Sequence, residues 1–175
     1  MELKEIYQLH GSMVYNLALQ YTQNIEDAEE VTQDVFINIH EKIDSFRGEA
    51  SLKTWIYRLT INKSLDYLKA KKSKKRWSFF APGRVDAHAV DLPDQGFNHP
   101  GIELEQKESI EQLFKLINQL SENQKTVIIL LKVEGLTMDE VGKIMELSYK
   151  AVESLFQRAK NNLKVLIQKS KENGF

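Results

Sequence analysis

The residues with the most chemical potential lie between Phe46 and Trp77, in the run FRGEASLKTWIYRLTINKSLDYLKAKKSKKRW. Trp55, Tyr57, Arg58, Asn62 and Tyr67 come first. A block from Lys69 to Arg76 follows, with six Lys or Arg and no acid. Aromatic rings can stack on unpaired bases and a basic tract can follow a phosphate backbone, so this order suits a junction between single- and double-stranded nucleic acid. The same residues have a plainer reading, with Trp55 and Leu59 as core and the lysines as a solvated helix end, because cations are favoured at helix C-termini in any case.

Such groups need a helix beneath them. A polar turn (Arg47, Gly48, Glu49, Ala50) leads to Ser51, which can cap a helix with apolar positions at Leu52, Trp55, Ile56, Leu59, Leu65 and Leu68 and an end in the cationic block. Upstream, Leu3, Ile6, Tyr7, His10, Met13, Val14, Leu17, Ala18 and Tyr21 recur at spacings of three and four, which predicts a first amphipathic helix. Asn24 can cap a second helix, whose first turns carry Glu26, Asp27, Glu29 and Glu30 at the positive end of the helix dipole. Its buried stripe is Ala28, Val31, Val35, Ile39 and Ile43, leaving Asp27, Glu30, Gln33, Asp34 and Asn38 on or near the outer side.

The formal net charge of -1 conceals segregation: eight acids against two bases from Glu26 to Glu49, then eight bases against one acid from Lys63 to Arg84. One face therefore suits a basic partner and another a polyanion. The absence of cysteine excludes disulfides and thiolate metal sites. His10, His40, His88 and His99 are too scattered to suggest zinc, and neither an HExxH motif nor a phosphate-cradling glycine loop occurs. No cofactor is expected. With no long apolar run and an acidic, amphipathic start, the expectation is a soluble cytoplasmic protein with no membrane insertion of its own.

Between Ser78 and Gly101 lie all three prolines, three glycines and no sustained period, which reads as a linker. Beyond it the sequence is helical again. Ile110, Leu113, Phe114, Ile117 and Leu120 share a face, and Ser121 with Gln124 forms a capping box for a helix that stops at Gly135. Thr137 with Glu140 opens a short helix to Met145, and Ser148 can cap a long last helix carrying Val152, Leu155, Phe156, Ala159, Leu163 and Leu166. Short helix, tight turn and longer helix make a helix-turn-helix, with Gly142 and Val152 where the axes must approach. Its second helix would enter a major groove, with Tyr149, Lys150, Glu153, Ser154, Gln157, Arg158 and Lys160 exposed for contact. The expected fold is thus all-α, two small helical domains (1–77 and 103–175) joined by a flexible linker (78–102).

Three blocks, in this order, carry a family resemblance over nearly the whole chain: DAEEVTQDVFINI (Asp27 to Ile39), FRGEASLKTWIYRLTINKSLDYL (Phe46 to Leu68), and LSENQKTVIILLKVEGLTMDEVGKIMELSYKAVESLFQRAKNNL (Leu120 to Leu163). The chain resembles a bacterial RNA polymerase sigma factor of the sigma-70 family, in its small extracytoplasmic-function class. The resemblance implies binding to the beta and beta-prime subunits of core RNA polymerase, with Asp27, Glu30, Gln33, Asp34 and Phe36 near that contact. It implies promoter DNA as the second partner. Phe46, Arg47, Ser51, Trp55, Arg58, Asn62, Lys69, Lys71 and Lys72 would open and read the -10 element, with Phe46 to Ser51 receiving a flipped base. Lys150, Glu153, Ser154, Gln157, Arg158 and Lys160 would read the -35 element. The class is commonly restrained by an anti-sigma factor, often at the inner membrane face, and has no catalytic activity of its own. Two features depart from the pattern. Glu146 stands where the helix-turn-helix commonly has Gly, and Glu153 and Leu155 occupy recognition positions that are often basic. A dimeric repressor built on the helix-turn-helix would leave Phe46 to Arg76 unexplained, and an enzyme finds little support in the residues.

Overall fold

The computed structural model describes residues 2–80 and 104–172, with side chains described for 2–74 and 109–172. Among these residues there are seven α-helices and no strand: α1 Leu3–Thr22, α2 Ile25–Lys42, α3 Leu52–Phe80, α4 Leu104–Ile117, α5 Glu122–Ile128, α6 Met138–Met145 and α7 Tyr149–Glu172. The chain divides into two compact units, one from Met1–Ser45 with Leu59–Gly101 and the other from Phe46–Arg58 with Ile102–Phe175. Helix α3 therefore gives its first turns to the second unit and the remainder to the first. It also runs on through the cationic block, where the sequence predicted it to end. Most of the expected linker lies outside the described residues.

In the first unit, α1 and α2 are joined by Gln23 and Asn24 alone, a connection short enough to make them antiparallel neighbours. Gln23 ends α1 in the left-handed region (φ 56°), and its side-chain amide donates to the carbonyls of Leu19 and Gln20, closing the orphan end of the helix. Asn24 caps α2 as expected, its Oδ1 accepting from the Asp27 amide at 2.9 Å. The core is Ile6, Val14, Leu17, Ala18 and Tyr21 against Ala28, Val31, Val35 and Ile39. Leu3 and Tyr7, placed on the buried face by period, are exposed.

Helix α3 departs further from its sequence pattern. Its buried positions are Ile56, Tyr57, Thr60, Ile61 and Ser64, whereas Leu52, Trp55, Leu59, Leu65 and Leu68 are only half-buried. Two of those buried residues, Thr60 and Ser64, carry aliphatic hydroxyls. Ser64 satisfies its hydroxyl by donating to the Thr60 carbonyl at 2.7 Å, so burial there does not require an apolar side chain.

In the second unit, Phe114, Ile117, Val127, Ile128, Ile129, Leu130, Val141, Ile144, Val152, Leu155, Phe156 and Ala159 form the core. Helix α5 passes into a π-helical turn, Ile129–Val133, and the chain reverses at Gly135 with φ 67°. The box at Thr137 and Glu140 is formed in both directions. The box expected at Ser121 and Gln124 is not: Ser121 makes no side-chain cap bond, and the Gln124 Oε1 instead accepts from Asn162 at 3.1 Å, tying α5 to α7. Three residues, Glu146 to Ser148, turn α6 into α7. Glu146 stands left-handed (φ 57°, ψ 41°) and Ser148 accepts from the Ala151 amide at 3.3 Å.

Candidate nucleic-acid interface

Three surfaces hold the residues expected to function. On α2, Asp27, Glu30 and Asp34 lie at i, i+3 and i+7, one helical stripe. On α3, Lys63, Tyr67 and Lys71 lie at i, i+4 and i+8, and the two stripes meet. Lys71 Nζ donates to Asp27 Oδ2 at 2.5 Å. The Tyr67 hydroxyl stands 2.8 Å from Asp27 Oδ1 and 3.0 Å from Glu30 Oε2, and Lys63 is 3.9 Å from Asp34. A cleft of about 520 Å³ runs between the stripes, also lined by Asp66 and Lys74. Asp27, expected near the outer side, is 8% exposed because both of its oxygens are engaged inside the unit. Burial, then the hydrogen bonds to Asp27 and Glu30, push the Tyr67 phenol well above its ordinary pKa and keep it protonated.

Around α2 from this stripe the surface is apolar. A groove of about 730 Å³ between α1 and α2 is lined by Leu3, Tyr7, Gln33, Phe36, Ile37 and His40 among others. Phe36 is itself buried, edge-on to Tyr7 with centroids 4.8 Å apart, so it shapes the groove wall rather than projecting from it. Glu30, Gln33 and Asp34 are exposed.

In the loop before α3, Gly48 takes φ 71° and Ser51 caps the helix, accepting from the Thr54 amide at 3.1 Å. Phe46 and Trp55 stack at a tilt, centroids 5.2 Å apart, a half-exposed aromatic pair at the mouth of that loop. Arg47 and Ser51 are exposed. Tyr57 and Tyr67, offered by the sequence as stacking surfaces, are not available for it. Tyr57 is buried with its hydroxyl donating to Glu134 at 2.8 Å, and Tyr67 is held by the carboxylates. Arg58 is also engaged. Its guanidinium pairs with Glu146 at 2.7 Å and donates to the Lys143 carbonyl at 2.6 Å, meeting the negative end of α6. Further along α3, Asn62, Lys69, Lys71 and Lys72 are exposed.

On α7, Lys150, Ser154, Gln157 and Arg158 form an exposed stripe at i, i+4, i+7 and i+8, flanked by Glu153 and Lys160. Arg158 rests against its own helix, Nε donating to the Ser154 carbonyl at 3.4 Å, and Lys160 lies over the Phe156 ring at 5.4 Å. The opposite face, Val152, Leu155, Phe156 and Ala159, is buried, so the helix is anchored by one side and offers the other.

Comparison with known proteins decides what this arrangement is. The family model of sigma-70 region 2 matches residues 6–74, and that of sigma-70 region 4 matches residues 110–163. The chain is 30% identical over 159 residues to the ECF RNA polymerase sigma-E factor of Haemophilus influenzae, covering 91% of this chain and 84% of that protein. The chain belongs to the sigma-70 family, in its extracytoplasmic-function class. The sigma factor SigW of Bacillus subtilis is 26% identical, with 91% of this chain and 86% of SigW covered. In fold, the chain is similar to CnrH, solved in complex with the cytosolic domain of CnrY (TM-score 0.65, 20% identity, 95% of this chain and 88% of that one). It is similar also to the sigma factor RpoE of Bartonella quintana, solved with the anti-sigma factor NepR (TM-score 0.65, 21% identity, 94% and 96%).

This sigma factor therefore has region 2 on α1, α2 and most of α3, and region 4 from within α4 into α7. The structure brings Phe46 to Trp55 and aligns the α7 set, while it draws Asp27, Arg58 and Lys71 into internal pairs. The join between the α2 and α3 stripes was missed from sequence. The sequence shows acids spaced along one helix and cations along the other, but not which of them meet.

Proposed function

We propose that the exposed carboxylates Glu30 and Asp34, with Gln33 and the adjoining apolar groove, form the contact with the beta and beta-prime subunits of core RNA polymerase. Asp27 and Phe36 serve that contact from beneath, as supports of the surface. Phe46, Arg47, Ser51, Trp55 and Asn62 take the melted -10 strand, joined by Arg58 once it leaves its pair with Glu146, with the aromatic pair available to stack against an extruded base. Stacking and hydrogen bonds there offset the few kcal/mol or so that extrusion costs. Lys69, Lys71 and Lys72 hold phosphates at the duplex edge. Lys150, Glu153, Ser154, Gln157, Arg158 and Lys160 read the -35 element in the major groove. The polymerase performs nucleotidyl transfer and this chain supplies position and strand separation. In this reading residues 1–77 work as region 2 and residues 103–175 as region 4, although Phe46–Arg58 belongs to the second compact unit. An anti-sigma factor, the partner with which RpoE of Bartonella quintana was solved, is the regulator of this reading, deciding whether the chain is free in the cytoplasm or held at a membrane face. No helix among the described residues is long and apolar enough to cross a membrane itself.

The observation that carries this reading is the concurrence of a capped, one-sided α7 with a half-exposed Phe46 and Trp55 pair ahead of a cationic helix. Gel filtration with core RNA polymerase tests it. The chain should co-elute with core and bind promoter duplex only in that complex. Tight duplex binding by the chain alone, with no co-elution, would identify a conventional repressor instead.

A further inference from the structure

The Tyr67 hydroxyl has one proton and two carboxylate neighbours, Asp27 at 2.8 Å and Glu30 at 3.0 Å. It cannot serve both fully. Asp27 is buried and has Lys71 on its other oxygen, whereas Glu30 is exposed and, apart from the phenol, faces solvent on the surface assigned to polymerase. We propose that Tyr67 is a positioning residue that couples the polymerase-facing carboxylate of Glu30 to the phosphate-facing Lys71, with Asp27 as the fixed hub between them. This rests on the sigma-factor reading of the two surfaces.

The mechanism follows from proton counting. When a donor on the polymerase engages Glu30, that carboxylate no longer competes for the phenol, and the Tyr67 O–H, keeping its proton, donates to Asp27 alone. The stronger hydrogen bond draws charge density from the Asp27 carboxylate, which then holds Lys71 less strongly. Lys71 has a side chain already 57% exposed and needs only to release one carboxylate oxygen to reach a phosphate. Polymerase binding on α2 thus frees a cation on α3, within one unit and without any backbone change. Asp34 and Lys63, at 3.9 Å on the same pair of stripes, are too loosely paired to do the same. The raised pKa of Tyr67 agrees with a phenol that keeps its proton between two carboxylates.

The test is a mutant cycle on the reconstituted holoenzyme, with thermal unfolding followed in parallel. Tyr67→Phe removes the proton and keeps the ring. It should leave core affinity within about twofold and lower the open-complex fraction several-fold. Lys71→Ala should do the same and reduce the salt slope of promoter binding by about one. The double variant should be no worse than Lys71→Ala alone. Asp27→Asn, which abolishes the hub's charge, should release Lys71 and restore opening to Tyr67→Phe. Independent, multiplying effects of Tyr67→Phe and Lys71→Ala would overturn the coupling while leaving the sigma assignment intact. So would equal loss of core binding and opening in Tyr67→Phe, or failure of Asp27→Asn to rescue. A wild-type chain that does not bind core at all would overturn the assignment first and the coupling with it.

Discussion

A Cβ placed on Gly142 would stand 2.8 Å from the carbonyl oxygen of Leu147 and 3.8 Å from the Val152 side chain. The oxygen belongs to the turn backbone and cannot swing aside as a side chain would. Gly142→Ala should therefore destabilise the second unit by about 1 to 3 kcal/mol, the cost of overpacking a well-packed site. Chemical unfolding followed by circular dichroism measures it. An unchanged midpoint would mean that α6 and α7 do not approach as closely as described.

The turn itself offers the opposite change. Glu146 holds a left-handed conformation that costs an L side chain roughly 1 kcal/mol relative to glycine. Its compensation is the ion pair with Arg58, and Glu146 is 72% exposed, so the pair contributes on the order of 0 to 1 kcal/mol. Glu146→Gly should stabilise the unit by up to about 1 kcal/mol, while Glu146→Ala, which loses the pair and keeps the strain, should not stabilise. If both variants shift the denaturation midpoint equally, backbone strain is not the cause.

These two positions illustrate what the chain revealed before its structure. Gly142, Val152 and the Thr137 box were legible because helix contacts and caps are local, set by residues a few positions apart. Glu146 was marked by the family resemblance instead, as a departure from the Gly common at that turn. The fate of Asp27, Arg58, Tyr57 and Tyr67 was not. Each is decided by a partner between about 40 and 90 residues away in sequence, and periodicity along one helix carries no information about which charge faces it on another. Helix α3 misled for a related reason: Thr60 and Ser64 are buried, Ser64 satisfying its hydroxyl within the helix, so the inward face was not its most apolar one. The region 2 and region 4 assignment survived these errors because it rested on the order of whole blocks.

Two tyrosines should set the alkaline limit of stability. Tyr57 is raised above its ordinary pKa by burial, then by Glu134, and Tyr67 by burial, then by Asp27 and Glu30. A folded-state value above the unfolded one means that their contribution is fully present below about pH 10 and is lost as pH rises through the folded values. An ultraviolet phenolate titration of the six tyrosines should show Tyr57 and Tyr67 among those that ionise late, and together with unfolding. Tyr67→Phe should remove one late phenol. Six phenols titrating together near the ordinary value would contradict the buried pairings.

Arg158 closes the exposed stripe of α7 and makes a long bond to its own helix. If it takes a guanine edge, Arg158→Ala should weaken binding to the -35 element by about 1 to 3 kcal/mol and relax preference at one base pair. Arg158→Lys should recover phosphate attraction but not the base preference. Binding to a panel of single-base promoter variants separates the two. Uniform weakening across the panel would assign Arg158 to the phosphate backbone.

Promoter melting by the reconstituted holoenzyme, read by the chemical reactivity of unpaired thymines at the -10 element, is the most direct measurement. Wild-type chain should open the promoter, while Trp55→Ala and Asn62→Ala should bind core normally and leave those thymines unreactive. Normal melting by both variants, or loss of core binding in step with loss of melting, would contradict a division of labour between α2 and the loop-and-helix segment that follows it.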